Sequence, residues 1–165
     1  RHPDWTLIIL GEQGGKDREN HETEKLQRLI ETRGLAGRIY MPGRAGNVGD
    51  WYERADLFVL SSRYEGFPNV VLEAMAAGCA CIAFDCDTGP GDIIEDGING
   101  ILVPPEDTRE LARAMEQLME DAPLRRTLSG RAAAVRERFS EDRILGRWKQ
   151  VLDRLIENNG GEINK

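Results

Sequence analysis

The stretch that decides the fold is Leu57-Phe-Val-Leu60 followed by Ser61-Ser-Arg-Tyr-Glu-Gly-Phe-Pro-Asn-Val-Val-Leu-Glu-Ala-Met-Ala-Ala-Gly78. Four consecutive apolar residues read as a buried strand, and Asn69 to Ala77 reads as a helix opening just after Pro68. The loop between them contains Gly66, which has no side chain to keep a ligand off the backbone. Loops leaving the C-terminal ends of strands are where open α/β sheets bind ligands. Asn69 is expected to cap the helix, with the amides of Asn69, Val70 and Val71 free at the positive end of its dipole. Such a turn cradles an anion, and a diphosphate suits it.

Two carboxylates flank the turn: Glu65 in the loop, and Glu73 one helical turn beyond Asn69 on the same face. A carboxylate beside an anion site makes chemical sense if it accepts hydrogen bonds from neutral hydroxyls, and its two oxygens suit a vicinal diol. On spacing alone, the alternative is that Glu65 is a solvated loop charge and Glu73 an ion-pair partner of Arg63 or Arg54.

Outward from this stretch, strands and helices alternate. Thr6 to Leu10 reads as a strand opening into a loop with Gly11, Gly14 and Gly15. A helix through Leu26, Leu29 and Ile30 ends at Gly34, and Arg38 to Met41 is a strand stopped by Pro42 and Gly43. Trp51 to Ala55 reads as a short helix, Cys81 to Asp85 as a strand, Gly91 to Asp96 as a helical turn and Ile101 to Val103 as a strand. Apolar strands separated by helices predict a doubly wound parallel sheet of the α/β class. Only helices are expected after residue 106: Thr108 to Glu120, Pro123 to Phe139, and Ser140 to Glu157 with Ser140 as N-cap. The domain is thus expected to span residues 1–157, with a frayed tail over 158–165.

The 165 residues, 31% charged and 40% hydrophobic, fit one globular domain. A net charge of -7 argues against a nucleic-acid partner, which needs a clustered basic face. The Arg-rich stretch from Arg125 to Arg138 lacks interleaved aromatics and reads as a solvated helix face. Cys79, Cys81 and Cys86 show no metal-ligand spacing and read as small buried residues. His2 and His21 have no ligand cluster in sequence, so neither metal nor cofactor is implied. The chain opens at Arg1 rather than methionine and is read as part of a longer polypeptide.

The segment Glu65-Gly-Phe-Pro-Asn-Val-Val-Leu-Glu73-Ala-Met-Ala-Ala-Gly78 closely resembles the motif of two glutamates separated by seven residues in the retaining glycosyltransferases of family 4, also called glycosyl transferases group 1. Thr6 to Glu12, Ile39 to Gly43, Ala55 to Ser62, Gly89 to Pro104 and the Leu111–Leu118 helix are similar to other parts of the family pattern. The resemblance implies the C-terminal, donor-binding half of the two-domain GT-B architecture, with the first strand–helix unit and the N-terminal acceptor domain missing. By resemblance, Glu73 would hold the ribose hydroxyls and Glu65 would contact the donor sugar. The backbone of Gly66, Phe67, Pro68, Asn69 and Val70 would bind diphosphate and sugar, Gly11 would line the donor site, and Tyr40, Met41 and Pro42 would lie beside the base.

The reaction implied is transfer of a sugar from a nucleotide-sugar donor to a saccharide or lipid-linked acceptor with retention of configuration, without a bound metal. The family's Arg and Lys that stabilise the departing diphosphate would lie in the missing unit; Arg44 and Arg63 do not occupy their places. The implied partners are therefore the donor and the N-terminal domain of the same enzyme. The full-length protein would be cytoplasmic, with peripheral association at the inner face of the membrane, and the isolated domain inactive. Where many relatives carry a Gly-Gly pair, this chain reads Asp85-Cys-Asp-Thr-Gly-Pro-Gly-Asp92. That is similar to variants in bacterial surface-polysaccharide transferases using UDP-sugars, and favours UDP over GDP and ADP. The alternatives are a non-hydrolysing sugar-nucleotide epimerase of the same architecture and a non-enzymatic nucleotide-binding module.

Overall fold

The computed structural model describes residues 2–11 and 19–160. The chain forms two compact units, Arg1–Trp51 and Tyr52–Lys165. In the first, strand β1 (Leu7–Leu10), helix α1 (Glu19–Thr32) and strand β2 (Ile39–Gly43) make a parallel pair joined by a helix. Leu7 lies opposite Ile39 and Leu10 opposite Gly43, with a register irregularity between Ile8 and Leu10. α1 is followed by Gly34, as expected. The Leu35 amide donates to Ile30 O at 2.9 Å and the Gly34 amide to Glu31 O at 3.0 Å, a closure that needs the positive φ of 64° at Gly34. Pro42 was expected to stop β2 but does not. Among the described residues β1 is the one strand that pairs with β2, and a proline's missing N–H costs nothing on the free side of an edge strand. Gly14 and Gly15 lie outside the described residues.

Helix α2 (Val48–Arg54) leads into the second unit, which contains β3 (Leu57–Leu60), α3 (Asn69–Ala76), β4 (Ala80–Phe84), α4 (Pro90–Ile93), β5 (Ile101–Val103), α5 (Thr108–Glu120), α6 (Ala122–Ala132), α7 (Val135–Arg138) and α8 (Glu141–Gly160). Its sheet is parallel throughout in the order β3-β4-β5, with Phe58 opposite Cys81 and Ile82 opposite Ile101. All five residues of β4 are buried, and they alternate between two cores. Cys81 and Ala83 pack with Val71, Met75, Ile93 and Val135, while Ala80, Ile82 and Phe84 pack with Leu118 and Leu128 on the other face. A sheet covered on both faces is the doubly wound arrangement predicted. The three cysteines are buried and free.

Three expectations change. The strands form one two-stranded and one three-stranded sheet rather than a single one; among the described residues β3 pairs with β4 alone. The helix predicted over Pro123–Phe139 is two, α6 and α7. Tightened bonds from Ala134 N to Arg131 O and from Arg136 N to Ala133 O interrupt it, and burial of Ala132 and Val135 fixes the turn.

The arginines of that stretch are only in part a solvated face: Arg126, Arg131 and Arg136 are exposed, but three guanidiniums of the stretch reach backbone carbonyls of other helices. Arg125 Nη1 donates to Leu118 O at 2.6 Å, and Arg136 Nε to Ala76 O at 2.8 Å. Arg138 donates to Ile93 O at 2.9 Å and Asp92 O at 2.6 Å. Each guanidinium supplies donors to carbonyls in or near the last turn of a helix, where the backbone has none.

Beyond Ser140, α8 continues to Gly160, past the expected end at Glu157; residues 161–165 lie outside the described residues. Leu145, Trp148, Leu152, Leu155 and Ile156 are each more than half exposed along it. No helix among the described residues is long and apolar enough to cross a membrane.

Candidate functional site

The loop from Ser61 to Pro68 leaves the C-terminal end of β3 and enters α3. Glu65 in it is half-buried, Pro68 buried, and Phe67 exposed by 45% with its ring edge-on to Phe139 at 5.8 Å. Asn69 does not cap the helix. Pro68 holds that position, with no side-chain hydrogen bond, and Asn69 is the first helical residue. The expected trio of free amides is also altered, because Asn69 N donates to Phe67 O at 3.0 Å and Val71 N to Pro68 O at 2.9 Å. Proline fixes its own φ and turns the chain before Asn69, so the backbone satisfies itself locally. Among the described residues, the amides of Gly66, Phe67 and Val70, next to the helix start, have no backbone acceptor. They still form a cluster of donors at a helix N-terminus, displaced toward the loop.

Glu73 lies exposed on α3, and neither it nor Glu65 is ion-paired among the described residues. Arg63, the alternative partner, instead meets Glu106 at 3.2 Å. Both carboxylates therefore remain open to neutral donors. The phenol of Tyr52, a buried residue that sequence reasoning missed, lies close enough to Glu73 for that carboxylate to act on its pKa. Burial first and the Glu73 charge second push the phenol's pKa up to about 12, so it stays a proton donor. Tyr52 carried no signal beyond its place in a polar run, Trp51-Tyr-Glu-Arg54; what selects it is the T-shaped contact with Phe58 at 5.6 Å that holds its ring. A shallow cleft of about 230 Å³ opens beside Glu73, lined by Leu72, Ala76, Val135, Arg136 and Phe139.

The second wall of the loop comes from the end of β4. Thr88 Oγ1 donates to Glu65 O at 2.5 Å and Cys86 Sγ to Ser62 O at 3.1 Å. Burial, then the nearby Glu65 charge, raises the Cys86 thiol pKa and keeps it a donor. The remaining predicted residues belong to the first unit. Tyr40 is half exposed and donates its hydroxyl to Gly37 O at 2.8 Å, Met41 is half-buried, Pro42 is exposed, and Gly11 N donates to Gly43 O at 3.1 Å. The fold thus brings Glu65, Gly66, Phe67, Pro68, Asn69, Val70 and Glu73 together on one loop and helix, with Gly11 and Tyr40–Pro42 on a separate compact unit.

Chemically, the loop and helix offer amides to an anion and carboxylates to hydroxyls. The crystal structure of Anabaena Alr3699/HepE in complex with UDP is similar to this chain, with a TM-score of 0.83 and 27% identity over 92% of this chain and 42% of that one. The C-terminal domain of a glycosyl transferase group 1 family protein (LpcC) from Francisella tularensis matches with a TM-score of 0.76 and 30% identity, over 84% of this chain and 71% of that one. Among curated proteins, the exopolysaccharide phosphotransferase SCO2592 of Streptomyces coelicolor is 36% identical over 94% of this chain but only 16% of its own length. The chain therefore spans well under half of HepE and a small part of SCO2592. The fold is that of the Rossmann-like domain of GT-B glycosyltransferases. With the pattern of glycosyl transferases group 1 matched over residues 1–135, the chain belongs to that family.

Proposed function

We propose that this chain is the donor-binding, C-terminal half of a retaining, family 4 glycosyltransferase that uses a UDP-sugar. The observation that carries this reading is the loop-and-helix geometry: free amides of Gly66, Phe67 and Val70 beside two unpaired carboxylates, Glu65 and Glu73. UDP bound in the related HepE structure supports the choice of nucleotide. The amides bind the diphosphate and stabilise the charge that grows on it as the glycosidic bond breaks. Glu73, with the Tyr52 phenol beside it, accepts from the ribose hydroxyls, and Glu65 contacts the sugar.

A preceding strand–helix unit and an N-terminal acceptor domain complete the enzyme, and without them this half binds donor but transfers nothing. Two features support that extension. Among the described residues strand β3, entirely apolar, ends its sheet with an unpaired edge, a position proteins normally protect. The apolar stripe of α8 is exposed along its length, and the N-terminal domain is its proposed cover. The acceptor is a saccharide or lipid-linked saccharide at the inner face of the membrane.

Calorimetric titration with UDP, GDP and ADP tests the reading. Saturable binding with UDP tightest is expected; no binding of any nucleoside diphosphate would overturn it.

A further inference from the structure

The donor loop makes little structure of its own. Between Ser61 and Gly66, among the described residues, no backbone amide donates to a backbone carbonyl. What holds it comes from the segment between β4 and α4, touching it at three points in order: Cys86 Sγ at Ser62 O, Thr88 Oγ1 at Glu65 O, and the Gly89 backbone against Gly66 and Pro68. The last contact leaves no room. A Cβ at Gly89 would lie 2.7 Å from Pro68 Cδ and 3.0 Å from Gly66 O, and φ there is +99°, which side-chain-bearing residues rarely adopt.

The Thr88 contact has a directional consequence. Glu65 C=O and Gly66 N–H belong to one planar peptide unit and point to opposite sides of it. A hydroxyl that fixes the Glu65 carbonyl therefore also fixes the direction of the Gly66 amide, one of the three free donors of the site. Without Thr88, that peptide plane has no hydrogen bond to orient it and can rotate.

We propose that Thr88 is a positioning residue that aims the Gly66 amide at the donor's diphosphate, with Gly89 as the close-packed base that makes this geometry possible. The inference rests on the donor-binding reading above. It predicts an effect confined to the anion: diphosphate recognition depends on Thr88, and nucleoside recognition does not.

The test compares UDP with uridine, which lacks the anion, in the parent protein, Thr88→Val and Thr88→Ser. Valine keeps the shape without the hydroxyl, and serine keeps the hydroxyl. Thr88→Val is expected to weaken UDP binding about 5- to 10-fold while leaving uridine within about twofold. It should also shift the Gly66 amide resonance in ¹H–¹⁵N spectra, and Thr88→Ser should restore both. UDP binding unchanged in Thr88→Val, or an equal loss for UDP and uridine, overturns the positioning role alone. A parent protein that binds neither ligand overturns the donor-site reading and the positioning role with it.

Discussion

Tyr52, buried in the core at the end of α2, places its phenol close enough to the exposed carboxylate of Glu73 on α3 for that charge to help raise the phenol's pKa. A hydrogen bond from this phenol would orient the acid proposed to meet the ribose diol and leave its remaining acceptor capacity for the ligand. Tyr52→Phe keeps the contact with Phe58 and removes only the donor. It is expected to lower UDP affinity about 3- to 10-fold and stability by about 1 kcal/mol, read by calorimetry and urea denaturation. Unchanged UDP affinity would separate the hydrogen bond from function.

The two carboxylates are expected to respond differently. Glu73→Gln should weaken binding of free UDP by about 10- to 100-fold, because hydrogen bonds to a charged acceptor are worth roughly 1.5–3 kcal/mol. Glu65→Gln should leave UDP binding near the parent value and lower turnover of the complete enzyme with a UDP-sugar. Equal UDP affinities for both variants and the parent would mean that the roles assigned to these side chains are wrong.

Arg136 reaches back to the last residue of α3, placing Nε 2.8 Å from Ala76 O, with Nη2 on the same carbonyl. That carbonyl belongs to the helix's unsatisfied C-terminal set, and the guanidinium also opposes the negative end of the dipole. The side chain is largely exposed, so the expected cost of Arg136→Met is modest, about 1 kcal/mol. A lower urea midpoint with an unchanged denaturant slope is the expected reading.

Burial pushes the Cys79 thiol up from its ordinary value of 9.0 to about 11 and the Tyr52 phenol from 10.0 to about 12, and it is the largest cause in each. Both groups are neutral when protonated, so the unfolded chain releases its protons at lower pH than the native one. Stability from these groups is complete below about pH 9 and falls as pH rises through 11 and 12. Urea midpoints measured from pH 8 to 11 are expected to decline steadily. Cys79→Ala should flatten the part of the decline that begins near pH 9.

Much of this was legible along the chain because local patterns reflect local physics. The apolar runs at Leu57–Leu60 and Ile101–Val103, the glycine after α1 and the glutamate pair can each be read from neighbouring residues. The helix break at Ala133–Ala134 could not, since a run of three alanines favours helix and only the packing of Val135 and the grip of Arg136 interrupt it. Pro68 likewise displaced Asn69 as the cap, by a backbone turn that the residue types alone left open.

By itself the sequence determined the α/β class, the order of strands and helices, and the family. These depend on periodicity, turn residues and a contiguous motif. Tertiary structure decided that Tyr52 lies beside Glu73, and that Thr88 and Gly89 hold the loop before α3 from the segment between β4 and α4. The reason is physical: those contacts join residues far apart in the chain, and their hydrogen bonds depend on where the packed sheet places each partner.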